Sequence, residues 1–336
     1  MEEFRLRLEK FLAKHEQTTQ ISPLTPDASV REYFRIGWNN SSAIACVYPE
    51  PFDPQEQTYL DVTKLFLLNK LPVADIYDFD GELGVIVLED LGDNILRPIL
   101  DKTDYEDSEN LLDEAIRLIA RIQNATESAY VTNSIASKLK FDQEKLGWEL
   151  EFFKTHYFET YKKQSLTAEE NRLLSEEFIE LVRELETKAE VLCHRDFHAA
   201  NLMIDQSGKF RIIDHQDARI GAASYDLVSL LLDRVIEVPP TAWLREKRLY
   251  FLEQREKAGL PHIDPDDFAK EFRLQTIQRC LKAIGTFSYQ SVHRGKTYFV
   301  QYIEPMFKIV LRASEKLDRF PILQKIVKNQ LNNTIE

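Results

Sequence analysis

Cysteine is scarce. Cys46, Cys193 and Cys280 are the three present, far apart and without the close pairs that zinc or redox motifs use, so a disulfide framework or structural zinc is excluded and buried, reduced thiols are expected. Glycine and proline are also few, 10 and 13 in 336 residues, which rules out a linker-rich or disordered chain. No long hydrophobic run occurs. The strongest, Leu227–Leu232, falls far short of the roughly 20 residues a membrane helix needs. The first residues carry acids, Glu2 and Glu3, where a signal peptide carries positive charge, and lack its apolar centre, so a cytoplasmic protein is expected. Positive charge is in deficit, 43 Lys and Arg against 56 Asp and Glu, for a net charge of -13. Such a chain repels phosphate backbones and anionic lipid, which argues against nucleic acid and membrane as partners and for a small molecule.

What is present is a folded chain of 43% hydrophobic residues, long enough for two lobes with separate cores. Phe4, Leu8, Phe11 and Leu12 share one face of a short amphipathic helix over residues 3–13. Strands are expected near Ile21–Leu24 and at Tyr33–Ile36, Ser42–Tyr48, Ala74–Phe79 and Leu83–Glu89, punctuated by Pro, Asn-Asn and Asp-Gly turns. One helix lies between them, with Asp53 as its cap, Pro54 at its first position and Glu56 completing a capping box. From about Ser108 helical patterns dominate: Leu111–Asn124, Lys145–Tyr161, Thr167–Leu185 and Pro265–Tyr289. The expected class is α+β and bilobal: residues 1–92 form a small antiparallel sheet lobe with one helix, and residues 93–336 a larger, mainly helical lobe.

One β island interrupts the helices, Leu202–Asp205 and Phe210–Ile213 around the turn residues Gln206, Ser207, Gly208 and Lys209. If the turn is centred between Ser207 and Gly208, facing residues have numbers summing to 415, and Asn201 faces Asp214 with Cβ atoms ~4.5–5.5 Å apart. An amide oxygen and a carboxylate converging in this way suit Mg²⁺, which takes oxygen ligands and keeps positions for phosphates. Asp196, five residues before Asn201, is then placed to accept the proton of a hydroxyl as the γ-phosphoryl group of ATP transfers to it. Each residue alone reads as an ordinary loop or turn side chain; the set at this spacing does not.

His194, Arg195 and Asp196 followed by Asn201, Ile213 and Asp214 resemble the catalytic core of the aminoglycoside phosphotransferase and choline kinase superfamily, a branch of the protein-kinase-like fold. Thr25–Arg35, Leu88–Gly92, Ile213–Arg219 with Tyr225–Leu231, and Leu274–Phe287 narrow the resemblance to bacterial anomeric kinases of cell-wall recycling. Those enzymes phosphorylate N-acetylmuramate and N-acetylglucosamine at C1. The resemblance covers nearly the whole chain and implies Mg²⁺ and ATP, with an amino sugar as acceptor. An aminoglycoside, choline or another small alcohol is the alternative acceptor, and an inactive ATP-binding scaffold a further alternative.

Against that family the phosphate-covering loop, Pro26–Glu32, has no glycine, which leaves Ser29 and Arg31 to contact phosphates. The strand Ser42–Tyr48 has no lysine where the family pairs one with the phosphates, and Arg31 or Arg35 are the nearest substitutes. The resemblance implies adenine recognition by backbone groups near Glu89 and Leu91. His198 either lines the acceptor pocket or bonds within the catalytic loop. Asp217 either binds a sugar hydroxyl or caps a helix. Arg279 and Lys282 lie on one sector of the last long helix pattern and could pair with an acyl oxygen or a lactyl carboxylate of the acceptor. His194 and Asp226 are expected to brace the loop.

Overall fold

The computed structural model describes residues 2–24 and 30–332, in two compact units. The first comprises residues 1–103, 128–136 and 199–217. The second comprises residues 104–127, 137–198 and 218–336. A single cut after residue 92 therefore differs from the observed division, in which the hairpin after Ala199 belongs with the sheet.

The first unit is built on a five-stranded antiparallel sheet of order β1-β2-β3-β5-β4, with β1 (Ile21–Leu24), β2 (Glu32–Trp38), β3 (Ser41–Val47), β4 (Ile76–Asp80) and β5 (Val85–Glu89). Asn39 and Asn40, both at positive φ, make the two-residue β2–β3 turn whose twist matches paired strands. Period-two alternation sends Phe34, Ile36, Trp38, Ala45 and Val87 to one face, where Leu8, Phe11 and Leu12 of α1 (Glu2–Lys14) cover them. Cys46, Ile86 and Leu88 face the other way, toward Tyr59 of α2 (Thr58–Leu68) and Met203 of the hairpin. The sheet thus carries a helix on each face, the amphipathic N-terminal helix on one and α2 on the other. α2 starts later than its sequence signals: Asp53 closes a local turn by accepting from Gln55 N at 2.9 Å, and Gln57 is the cap. The hairpin, β7 (Leu202–Ile204) and β8 (Phe210–Ile212), is stitched to the same unit by Ile212 N to Pro72 O at 2.8 Å and Ile204 N to Asn94 O at 2.9 Å. A short helix, α3 (Leu96–Leu100), follows β5.

In the second unit Asp104 caps α4 (Tyr105–Asn124), which starts earlier than the apolar pattern alone indicates. α5 (Thr126–Val131) and α6 (Ile135–Lys138) are short and run partly within residues 128–136, which belong to the first unit. α7 (Gln143–Phe153) continues as a π-helix over Lys154–Tyr161 where an unbroken α-helix is expected from the periodicity. α8 (Ala168–Thr187) opens on a full capping box between Thr167 and Glu170. β6 (Ala189–Cys193) pairs with β9 (Arg219–Ala222), where a Cβ on Gly221 would press within 2.8 Å of Phe141 and 2.9 Å of the Cys193 sulfur. α9 (Tyr225–Leu232), α10 (Thr241–Lys257), α11 (Pro265–His293), α12 (Ile303–Leu317) and α13 (Pro321–Asn332) complete it. All three cysteines are buried and unlinked, and no helix among the described residues is long and apolar enough to cross a membrane.

Candidate active site

The loop after β6 turns sharply because Arg195 holds a left-handed backbone, φ 85°. Asp226, in the first turn of α9, accepts the amides of His194 at 2.7 Å and Arg195 at 3.0 Å and so fixes that turn. Burial raises the pKa of the Asp226 carboxyl, and those amides and His194 oppose the rise. The loop presents Asp196 to α11. Arg279 Nη1 lies 3.5 Å and Lys282 Nζ 3.6 Å from Asp196 Oδ1, and Arg195 Nε is 3.8 Å from Oδ2. Burial disfavours the carboxylate, but Lys282, Arg279 and Arg195 together outweigh it and hold Asp196 well below the usual carboxylate range. Lys282 is itself pushed down by burial, against the pull of Glu149 and Asp196. Arg279 also reaches the Tyr225 hydroxyl at 3.2 Å and Ser229 Oγ.

His198 donates its backbone amide to Asp196 O at 3.1 Å, and its buried Nδ1 has no hydrogen-bond partner among the described residues. Burial lowers the pKa of its ring, partly offset by Asp233 and Asp196, so the imidazole is neutral at neutral pH. Glu149 is the residue that sequence reasoning missed. It is 1% exposed on α7, accepts from Gln278 at 2.8 Å and lies 3.5 Å from Lys282. Its signal was available: it stands beside Leu146, Leu150 and Phe153 on an apolar helical face, where a solvated glutamate does not belong.

Within the sheet unit the hairpin brings Asn201 and Asp214 together by a different register from that expected. The pairs are Leu202 with Ile212, Met203 with Arg211 and Ile204 with Phe210, so facing numbers sum to 414 and Asn201 stands opposite Ile213. The loop holds three residues rather than four, with Gly208 left-handed at φ 82°, the glycine-bulge form of the turn. Asp214 regains the contact because it too is left-handed, φ 62°, and its Oδ2 lies 3.4 Å from Asn201 Nδ2. A half-turn of the amide places its oxygen there instead. This pair of hard oxygen donors fits Mg²⁺, which needs only one or two protein ligands beside phosphates.

Gln216 Nε2 and Arg31 Nη2 also reach Asp214 Oδ1, at 3.0 and 3.4 Å. Arg31 stands 5.7 Å over the rings of both Tyr33 and Tyr48. Arg35, the other substitute for the missing lysine, is engaged by Asp90 and Asp93 at 2.8 Å each. Of the remaining sequence-derived residues, Glu89 is tied to Arg211, Leu91 is buried, Asp217 is half-buried in the turn after His215, and Ser29 lies outside the described residues. His215 is fully buried and bonded to Thr63 at 2.7 Å.

A sheet unit with a hairpin-borne Asn and Asp, and a helical unit with a loop aspartate among cations, define a phosphotransferase of the protein-kinase-like type. The chain belongs to the phosphotransferase enzyme family APH, whose sequence profile matches residues 20–241. It is 30% identical to an N-acetylmuramate/N-acetylglucosamine kinase of Neisseria meningitidis serogroup B over 292 residues, covering 86% of this chain and 84% of that one. A protein of the same description from Pseudomonas putida is 25% identical over 312 residues, covering 91% and 86%. Among solved structures, a microcompartment-associated aminopropanol kinase superposes with TM-score 0.62 at 15% identity, covering 93% of this chain and 98% of that one.

Proposed function

We propose that the protein is a Mg-ATP-dependent kinase that phosphorylates the anomeric hydroxyl of an amino sugar, N-acetylmuramate or N-acetylglucosamine. The observation that carries this reading is Asp196, kept ionised by Arg279 and Lys282 and joined through five residues of chain to the Asn201–Asp214 pair. Asp196 orients the C1 hydroxyl and takes its proton late, as oxygen bonds to phosphorus and its acidity rises; a carboxylate of low pKa is a poor base toward a free alcohol. Asn201 and Asp214 would hold the metal, which when bound would neutralise charge on the phosphates of ATP. Residues 1–92 serve the nucleotide, with Arg31 supplying the charge that the absent strand lysine leaves out, Ser29 a loop hydroxyl, and the backbone near Glu89 and Leu91 the adenine contacts. Outside the hairpin at 199–217, which holds Asn201 and Asp214, residues 93–336 serve catalysis and the acceptor.

Arg279 and Lys282 disfavour a cationic acceptor and favour an acyl oxygen or carboxylate. His198 and Asp217 supply hydrogen bonds to sugar hydroxyls. The use of ATP accords with a cytoplasmic setting. The test is phosphorus NMR of the products formed from ATP and a panel of acceptors: an anomeric phosphate of N-acetylglucosamine or N-acetylmuramate is required, and phosphorylation of choline or an aminoglycoside alone would overturn the assignment. Asp196→Asn should lower kcat by roughly 10²- to 10⁴-fold while ATP still binds, whereas Asp214→Ala should weaken Mg-ATP binding itself.

A further inference from the structure

The helical unit contains a cavity of about 40 Å³ whose charged lining is wholly basic: Arg248, Arg273, Arg312 and Lys316. A single water needs ~10–15 Å³ on this measure, so the space suits a few waters or one small oxyanion. Arg248 is 8% exposed, and no carboxylate among the described residues bonds or ion-pairs with it; its recorded neighbour is the Phe272 ring, 5.2 Å away. Buried charges are ordinarily paired, because leaving one uncompensated costs several kcal/mol. Burial, reinforced by Arg273 and Arg245, pushes Arg248 down to about 10, and no acid offsets it. Arg312 bonds the carbonyl of Pro239 at 2.6 Å, which leaves its charge unneutralised.

A second feature points the same way. Thr241, the first residue of the 17-residue α10, lines the cavity, and the preceding Pro240 offers the free amides of that helix turn no side-chain cap. In a chain of net charge -13, four unbalanced cations around one cavity at a helix N-terminus select an anion. A phosphate-type dianion matches best, since guanidinium forks bind it in bidentate fashion. We propose that this cavity binds a phosphate-type oxyanion through Arg248, Arg273 and Arg312, with exposed Lys316 at its rim, as a site separate from the residues assigned to phosphoryl transfer.

Calorimetric titration with inorganic phosphate at fixed ionic strength, with chloride and acetate as controls, tests this. The wild type and Asp214→Ala should both bind phosphate, and Arg248→Met should weaken binding at least tenfold. In phosphate-free buffer Arg248→Met should melt higher than the wild type, because it removes an unpaired buried charge; a purely structural arginine would give the opposite shift. Should that variant not fold, Arg312→Gln is read in the same titration and should also weaken binding. Methyl phosphate that binds as tightly as phosphate means the site reads a phosphoryl group on a carrier; its exclusion restricts the site to the free ion. Phosphate binding that survives Arg248→Met but is lost in Asp214→Ala, or no binding to the wild type at millimolar phosphate, would overturn the proposal.

Discussion

Asp196 is worth most to the fold when charged. Its pKa is depressed in the folded state, so its contribution to stability is present above the unfolded carboxylate range and is lost as pH falls through the folded value. Asp196→Asn should therefore lower the melting temperature at pH 7, and the gap from wild type should close as pH drops below the ordinary carboxylate range. Equal gaps at both pH values would remove Lys282 and Arg279 as its partners. Arg31 and Arg35 separate just as cleanly. Arg31→Met should reduce kcat/KM for ATP by roughly 10- to 100-fold, the worth of a charged hydrogen bond, while Arg35→Met, whose charge is taken by Asp90 and Asp93, should leave it within a few-fold. Side-chain type and spacing singled out Asp196, Asn201 and Asp214 as candidates in the sequence, and the structure puts Asn201 beside Asp214 and Asp196 beside Arg279 and Lys282. The choice between Arg31 and Arg35 was not legible there, because it depends on which acids each one meets, Asp214 for Arg31 and the Asp90–Asp93 pair for Arg35.

Hairpin register shows where legibility ends at the scale of elements. Gln206, Ser207, Gly208 and Lys209 are good turn residues in either a three- or a four-residue loop, and only the left-handed Gly208 selects the former. Strand positions were readable from alternation, yet α2 began four residues late, because Asp53 spends its side chain on a local turn. The π-helical stretch left no mark in the periodicity. It begins one residue after a close approach of α11: a Cβ on Gly285 would stand 2.7 Å from Cα and 3.0 Å from N of Phe153, the last residue of α7. Gly285→Ala should thus destabilise by roughly 1–3 kcal/mol despite its better helix propensity, measurable by urea unfolding; a stabilised variant would show that the two helices can part without cost.

Across the whole molecule, chain length anticipated two lobes but not their interleaving. Residues 128–136 and 199–217 belong to the sheet unit although a long helical stretch separates each from it in the chain. Long-range pairings such as Val73 with Ile212 leave no local trace, which is why a single cut near Gly92 looked natural. A fragment ending at Thr103 should accordingly be degraded rapidly in a proteolysis assay, whereas one ending at Asp217 should protect β1–β5. The same interleaving sets a schedule for synthesis. After Thr103 leaves the ribosome the sheet still lacks the hairpin that lays Met203 on Cys46, Ile86 and Leu88 and bonds Pro72, and at ~5–20 residues per second the missing stretch follows on the order of 10 s later. For that interval the nascent chain carries an unfinished apolar face, so the demand for chaperones falls early in translation.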